Sequence, residues 1–123
     1  MFVLWFLCAR RLDLLVGGRV HWLTLYEVCD ALWRESVLLG GLTGEEAVSV
    51  VDVVADVVGE MEVLGVRGSE AEVLRVALST GLTAYDASYV VVAAGEGLSL
   101  VTEDLRLRRG AEGHVEAVSV SEL

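Results

Sequence analysis

The chain has 123 residues, enough for one ordinary domain, and 54% of them are apolar, which supplies a core and excludes a disordered chain. Its net charge is −10; it has no lysine and no proline, so all nine basic residues are arginine. A surface this acidic excludes broad attachment to nucleic acid or anionic lipid, although RNA handled locally through a bound cation and a few arginines stays open.

Residues 2–8, FVLWFLC, form a continuous apolar run that reads as a strand buried on both faces. The run is too short to span a bilayer, and Arg10 and Arg11 follow it rather than precede it, the wrong order for a signal peptide. No membrane attachment and a cytoplasmic location are therefore expected. Residues 9–16 read as a short helix ended by glycines, and residues 20–23 as a second short strand. Thr24 is expected to open a helix whose apolar face carries Leu25, Val28, Cys29, Leu32, Trp33 and Val37. Gly40 and Gly41 close it. Thr43 with Glu46 makes a capping box before a helix rich in valine, which burial must hold because its propensity is modest.

Residues 61–66 read as a strand. Ser69 with Glu72 is expected to cap the next helix, which stops at Gly81. Thr83 opens a helix to about Ala94, residues 98–101 form a strand, Thr102 to Asp104 a loop, residues 105–110 one or two helical turns, and residues 115–120 the last strand. Alternation of this kind means an α/β protein, a three-layer α/β/α sandwich with a central parallel sheet, here in a single domain over residues 1–123. Cys8 and Cys29 both lie in apolar runs and are expected to be buried and reduced. Trp5, Trp22 and Trp33 are expected in the core or an oligomer interface, the tyrosines Tyr26 and Tyr85 in the core, and His21 in a structural role.

Two phrases echo each other: T-L-Y-E at 24–27 and T-A-Y-D at 83–86. Each is a threonine, two residues and an acid, the pattern of a helix cap. In open parallel sheets chemistry gathers beyond the carboxyl ends of the strands. Glu27 is expected there because its helix follows a strand, and the loop Thr102-Glu103-Asp104 because it follows one directly. Asp86 joins them if its helix starts toward the same edge. Clustered carboxylates repel unless a cation lies between them, and oxygen donors without His or Cys suit Mg²⁺ or Mn²⁺. Arg106, Arg108 and Arg109 follow at once; they either meet phosphates or offset the acidic surface and the end of a short helix.

The segment T-A-Y-D-A-S-Y-V-V-V-A, followed by L-S-L-V-T-E-D-L-R-L, resembles the C-terminal half of PIN-domain ribonucleases, above all the VapC-type toxins of toxin–antitoxin pairs. L-T-L-Y-E-V-C-D-A-L-W-R-E is similar to the helix that carries the family's second acid. The resemblance covers roughly residues 20–121. It implies a parallel sheet between helices and a Mg²⁺- or Mn²⁺-dependent endoribonuclease acting on RNA. Glu27, Asp86 and Asp104 would be the catalytic, metal-coordinating acids, with Thr102 in support and Glu103 at the variable position of that motif. It further implies a homodimer and a small antitoxin partner. The family's first-strand Asp is absent: if residues 2–8 are that strand, its place falls near Phe6 to Cys8. The alternative, a chain that starts after the true first strand, would expose two unpaired edges and is disfavoured. A site lacking one acid points to weak cleavage or, as the second reading, to an inactive PIN-like module that binds an antitoxin, RNA or another protein.

Overall fold

Residues 18–122 are described by the structure, a computed structural model. The expected strand at 2–8 and helix at 9–16, with Trp5, Cys8 and the position of the missing first-strand acid, lie outside the described residues. The chain divides into two units, one ending at Leu64 and the other running from Gly65 to Leu123.

In the first unit β1 (Arg19–His21) pairs in parallel with β2 (Glu62–Leu64), Arg19 opposite Glu62 and His21 opposite Leu64. The first pair of that register is also an ion pair, Arg19 Nε to Glu62 Oε2 at 3.0 Å. Between the strands lie α1 (Trp22–Trp33), a π-helical continuation (Arg34–Leu38) and α2 (Gly44–Gly59). The capping box of α2 is complete: Thr43 Oγ1 accepts from the Glu46 amide at 3.1 Å, and Glu46 Oε1 accepts from the Thr43 amide at 3.2 Å. The valines of α2 are poor helix formers, and Val54 and Val58 stabilise it by packing with Val28 and Leu32 of α1. Each such buried side chain contributes about 1.5–3 kcal/mol.

The start of α1 differs from expectation. The helix begins at Trp22 because the His21 ring caps it, Nδ1 accepting from the Leu23 amide at 3.0 Å. Thr24 is a buried residue inside the helix, and Glu27 lies beyond the first turn. His21 is structural, as expected. Cys29 and Tyr26 are exposed, against expectation, and Trp22 and Trp33 are exposed too, so of the two places expected for them the core is excluded. Apolar type does not force burial here, since the face of α1 that meets α2 is filled by Val28, Ala31 and Leu32.

In the second unit α3 (Glu70–Thr80) packs on α4 (Ala84–Gly95), and β3 (Leu100–Val101) pairs in parallel with β4 (Ala117–Val118) around α5 (Leu105–Ala111). Val76, Leu82, Ala87, Val90, Leu100 and Leu107 form the centre of its core. Ser69 makes no side-chain cap, because its backbone is not extended; instead the Glu70 carboxylate accepts from the Gly68 amide at 2.9 Å. Both strands are shorter than the apolar runs containing them. Leu98 is committed to closing α4, its amide donating to the Ala93 carbonyl at 2.8 Å while Gly97 takes a left-handed φ of 66°. Val115 likewise closes α5 by donating to the Ala111 carbonyl at 3.1 Å.

Parallel strand pairs alternating with helices make this an α/β fold, the class read from the sequence. Among the described residues no single helix is long and apolar enough to cross a membrane.

Candidate active site

The second unit brings two of the expected acids together. Gly81, left-handed at φ 77°, ends α3 and turns the chain into Leu82 and Thr83. Thr83 is extended and caps α4, its hydroxyl accepting from the Asp86 amide at 3.2 Å. Asp86 therefore sits in the first turn of α4 and is half-buried. Asp104 comes from the loop after β3. Its Oδ1 caps α5 by accepting from the Arg106 amide at 2.9 Å and the Leu107 amide at 3.3 Å, which leaves Oδ2 outside the cap. Thr102, buried at the end of β3, fixes that loop: its hydroxyl accepts from the Asp104 amide at 3.1 Å.

Packing sets the spacing of α4 and α5. Gly110 of α5 lies so close to Leu82 that a methyl group on it would come within 2.6 Å of the leucine side chain. Arg106 adds a second tie, its Nη2 donating to the Gly81 carbonyl at 3.4 Å.

The two acids sense each other. Partial burial, and then the nearby negative charge of Asp104, hold the Asp86 carboxyl above its ordinary value of 3.8. The Thr83 hydroxyl and the Arg106 guanidinium act in the opposite direction but do not cancel the shift. A carboxyl raised by burial and then by a neighbouring carboxylate gains from a cation placed against it. Two hard oxygen donors also suit Mg²⁺ or Mn²⁺, which are bound through one or two carboxylates and completed by water and phosphate. The donor chemistry of the pair thus fits the expected ion.

The other expected residues are placed as follows. Glu27 is exposed on α1, in the first unit. Glu103 ties the loop to the chain end, its Oε1 accepting from the Val120 amide at 2.7 Å. Among the described residues no group of three or more His, Cys, Asp or Glu side chains is placed to hold a metal ion. Arg108 is engaged by Glu122, Nη2 to Oε1 at 2.9 Å, and Arg109 is exposed on the last turn of α5. Tyr85, beside Asp86, is 67% exposed and so does not pack in the core as expected.

Three contributors were not read from the sequence. They are the Thr83 hydroxyl as a partner of the Asp86 carboxyl, the Arg106–Gly81 tie and the Gly110–Leu82 contact. The signal for the last was available: a glycine inside a helix weakens it unless close approach demands it.

No family model matches this chain. Exonuclease VapC9 of Pyrobaculum aerophilum is 42% identical to it over 94 residues, which span 76% of this chain and 67% of the relative. The crystal structure of PAE2754 from Pyrobaculum aerophilum superposes with a TM-score of 0.67 at 34% identity, covering 85% of this chain and 71% of that one.

Proposed function

This chain belongs to the VapC family of toxin–antitoxin nucleases, and from that membership we propose that it is a Mg²⁺- or Mn²⁺-dependent endoribonuclease, restrained by a small antitoxin and working as a cytoplasmic homodimer. The single observation that carries the proposal is the Asp86–Asp104 pair, two mutually repelling carboxyls on neighbouring helix starts.

In this reading Asp86 and Asp104 would hold the ion, and Glu27 is assigned to it by the resemblance alone. When bound, it supplies Lewis-acid polarisation of the phosphodiester and a more acidic water. The chain's own groups prepare the site. The Thr83 hydroxyl orients the Asp86 carboxyl. Thr102 holds the Asp104 backbone, and α5 holds Asp104 Oδ1, so Oδ2 is presented in a fixed direction. Arg106 moderates the negative charge at Asp86 before substrate arrives and meets a phosphate when it does. The relative is named an exonuclease, whereas the resemblance implies internal cleavage; circular RNA, which has no ends, separates the two modes.

The test is Mn²⁺ titration followed by thermal unfolding, alongside cleavage of linear and circular RNA. A melting temperature that rises with Mn²⁺ and cleavage of both RNAs are expected, and both responses disappear in Asp86→Asn and Asp104→Asn. No stabilisation and no cleavage would remove the nuclease. That result would favour the inactive binding module.

A further inference from the structure

A cleft of about 330 Å³ opens on the flank of α5, from Leu105, next to Asp104, to the helix exit. It is lined by Leu105, Arg108, Arg109, Glu112, Val115 and Ala117. Four of these recur at three- and four-residue steps, so one side of the helix and its exit form the wall. Three apolar side chains give a floor, two guanidiniums give positive charge, and one carboxylate gives an acceptor. On a chain of net charge −10, paired arginines in one cleft are a local exception. They are also unequal: Glu122 fixes Arg108 at 2.9 Å, while the exposed Arg109 has no ion-pair partner among the described residues. Arg108 lies four residues beyond Asp104, about 6 Å along a helix axis. The cleft therefore begins within one helical turn of Asp104.

We propose that this cleft is a nucleotide subsite beside the cleaved bond, with preference for a base that carries an exocyclic amino group. The proposal rests on the RNA-cleaving reading above and deepens it. Arg109 takes the phosphate in two-point fashion, since a planar guanidinium presents parallel donors. Arg108, already held, forms a rigid side wall. Leu105, Val115 and Ala117 receive the apolar face of the base. Glu112 accepts a hydrogen bond from an amino group on the base edge. Uracil offers a carbonyl oxygen there, which opposes the carboxylate. Adenine, cytosine and guanine therefore enter more readily than uracil. An acidic peptide would satisfy Arg109 but leave Glu112 facing like charge.

The experiment is amide NMR titration of the full chain with AMP, CMP, GMP and UMP, none of which contains a cleavable phosphodiester. Shifts concentrated in residues 105–117 are expected, with UMP weaker than the other three by about tenfold or more. Glu112→Gln supplies a donor as well as an acceptor and should abolish the preference. Arg109→Gln should weaken all four alike, and in cleavage assays raise KM about tenfold while kcat holds. Equal affinity for all four, an unchanged preference in Glu112→Gln, shifts centred on Asp86, or displacement of AMP by an acidic hexapeptide would each overturn the subsite. The two proposals fail separately. Cleavage without mononucleotide binding in the cleft removes the subsite alone, whereas binding without any RNA cleavage removes the nuclease and reduces the cleft to a nucleotide-binding site.

Discussion

T-L-Y-E and T-A-Y-D share a pattern but not a place in their helices. Thr83 caps α4, and Asp86 follows in its first turn. Thr24 is buried inside α1, and Glu27 lies past the first turn. The difference comes from the residues before each phrase. Ahead of Thr83 stands Gly81, whose left-handed φ ends one helix and obliges the chain to begin another. Ahead of Thr24 stands His21, whose ring takes the Leu23 amide and starts the helix three residues early. A four-residue pattern thus has no fixed meaning until its upstream neighbour has set the backbone. The matching exposure of Tyr26 and Tyr85, 66% and 67%, shows how much survives: both tyrosines stay at the surface in either setting.

The largest expected effect bears directly on whether the phrases also share a chemical role. Asp86→Asn and Asp104→Asn each should lower RNA cleavage about a thousandfold or more, since in the proposed reading each would remove a coordinating charge. Under the proposed three-acid site, Glu27→Gln should do the same. Single-turnover cleavage of one RNA by all three variants decides it. Losses confined to Asp86 and Asp104 would leave T-L-Y-E as helix surface only.

Next in size is Gly110→Ala. The added methyl meets Leu82 at 2.6 Å, and Leu82 is held in the core of the second unit. Overpacking of this kind costs about 1–3 kcal/mol. Urea unfolding measures it, and cleavage should fall further than stability explains, because α5 carries Asp104. A companion change, Gly59→Ala, meets nothing within 4 Å and should be close to neutral.

Legibility followed range along the chain. Caps at Thr43 and Thr83 could be read because donor and acceptor are three residues apart. The cap at Ser69 was misread because its φ of −117° and ψ of 16° aim the hydroxyl elsewhere, and no residue type announces that. Strands were read too long, since Leu98 and Val115 look like strand residues while their amides close helices. The pairing of Asp86 with Asp104 was readable in outline, because a loop that follows a strand must emerge at the strand's carboxyl end. The contact that spaces the pair, Gly110 on Leu82, joins positions 28 apart and leaves no periodic trace.

Thr83→Ala probes the cap that T-A-Y-D has and T-L-Y-E lacks. Loss of an N-cap hydroxyl costs about 1 kcal/mol. The same change removes a hydrogen bond that favours the charged form of Asp86, so the carboxyl should titrate still higher. Carbon-detected NMR titration of Asp86 reads this directly. Thr83→Ser keeps the oxygen and should restore both properties, which separates the hydroxyl from the methyl.

The smallest effect concerns His21, the cap that replaces Thr24. Burial holds its ring below the ordinary histidine value of 6.5. A protonated ring has no lone pair at Nδ1 for the Leu23 amide, so the cap requires the neutral form. The folded protein therefore binds this proton less readily than the unfolded chain. Its contribution is present above pH 6.5 and is lost as pH falls through the lower folded value. Asp86 has the opposite sign. Its folded carboxyl binds a proton more readily, so acidification through its raised value relieves a penalty present at neutral pH. The two phrases should thus answer acid in opposite senses. Amide exchange measured from pH 7 to pH 5 should show faster opening at the start of α1 and none of that loss at the start of α4. His21→Asn, a neutral acceptor at every pH, should flatten the α1 response while His114 is left unchanged as the internal control. An α1 response identical in His21→Asn would mean that some other group, not the imidazole, sets the acid sensitivity of that helix.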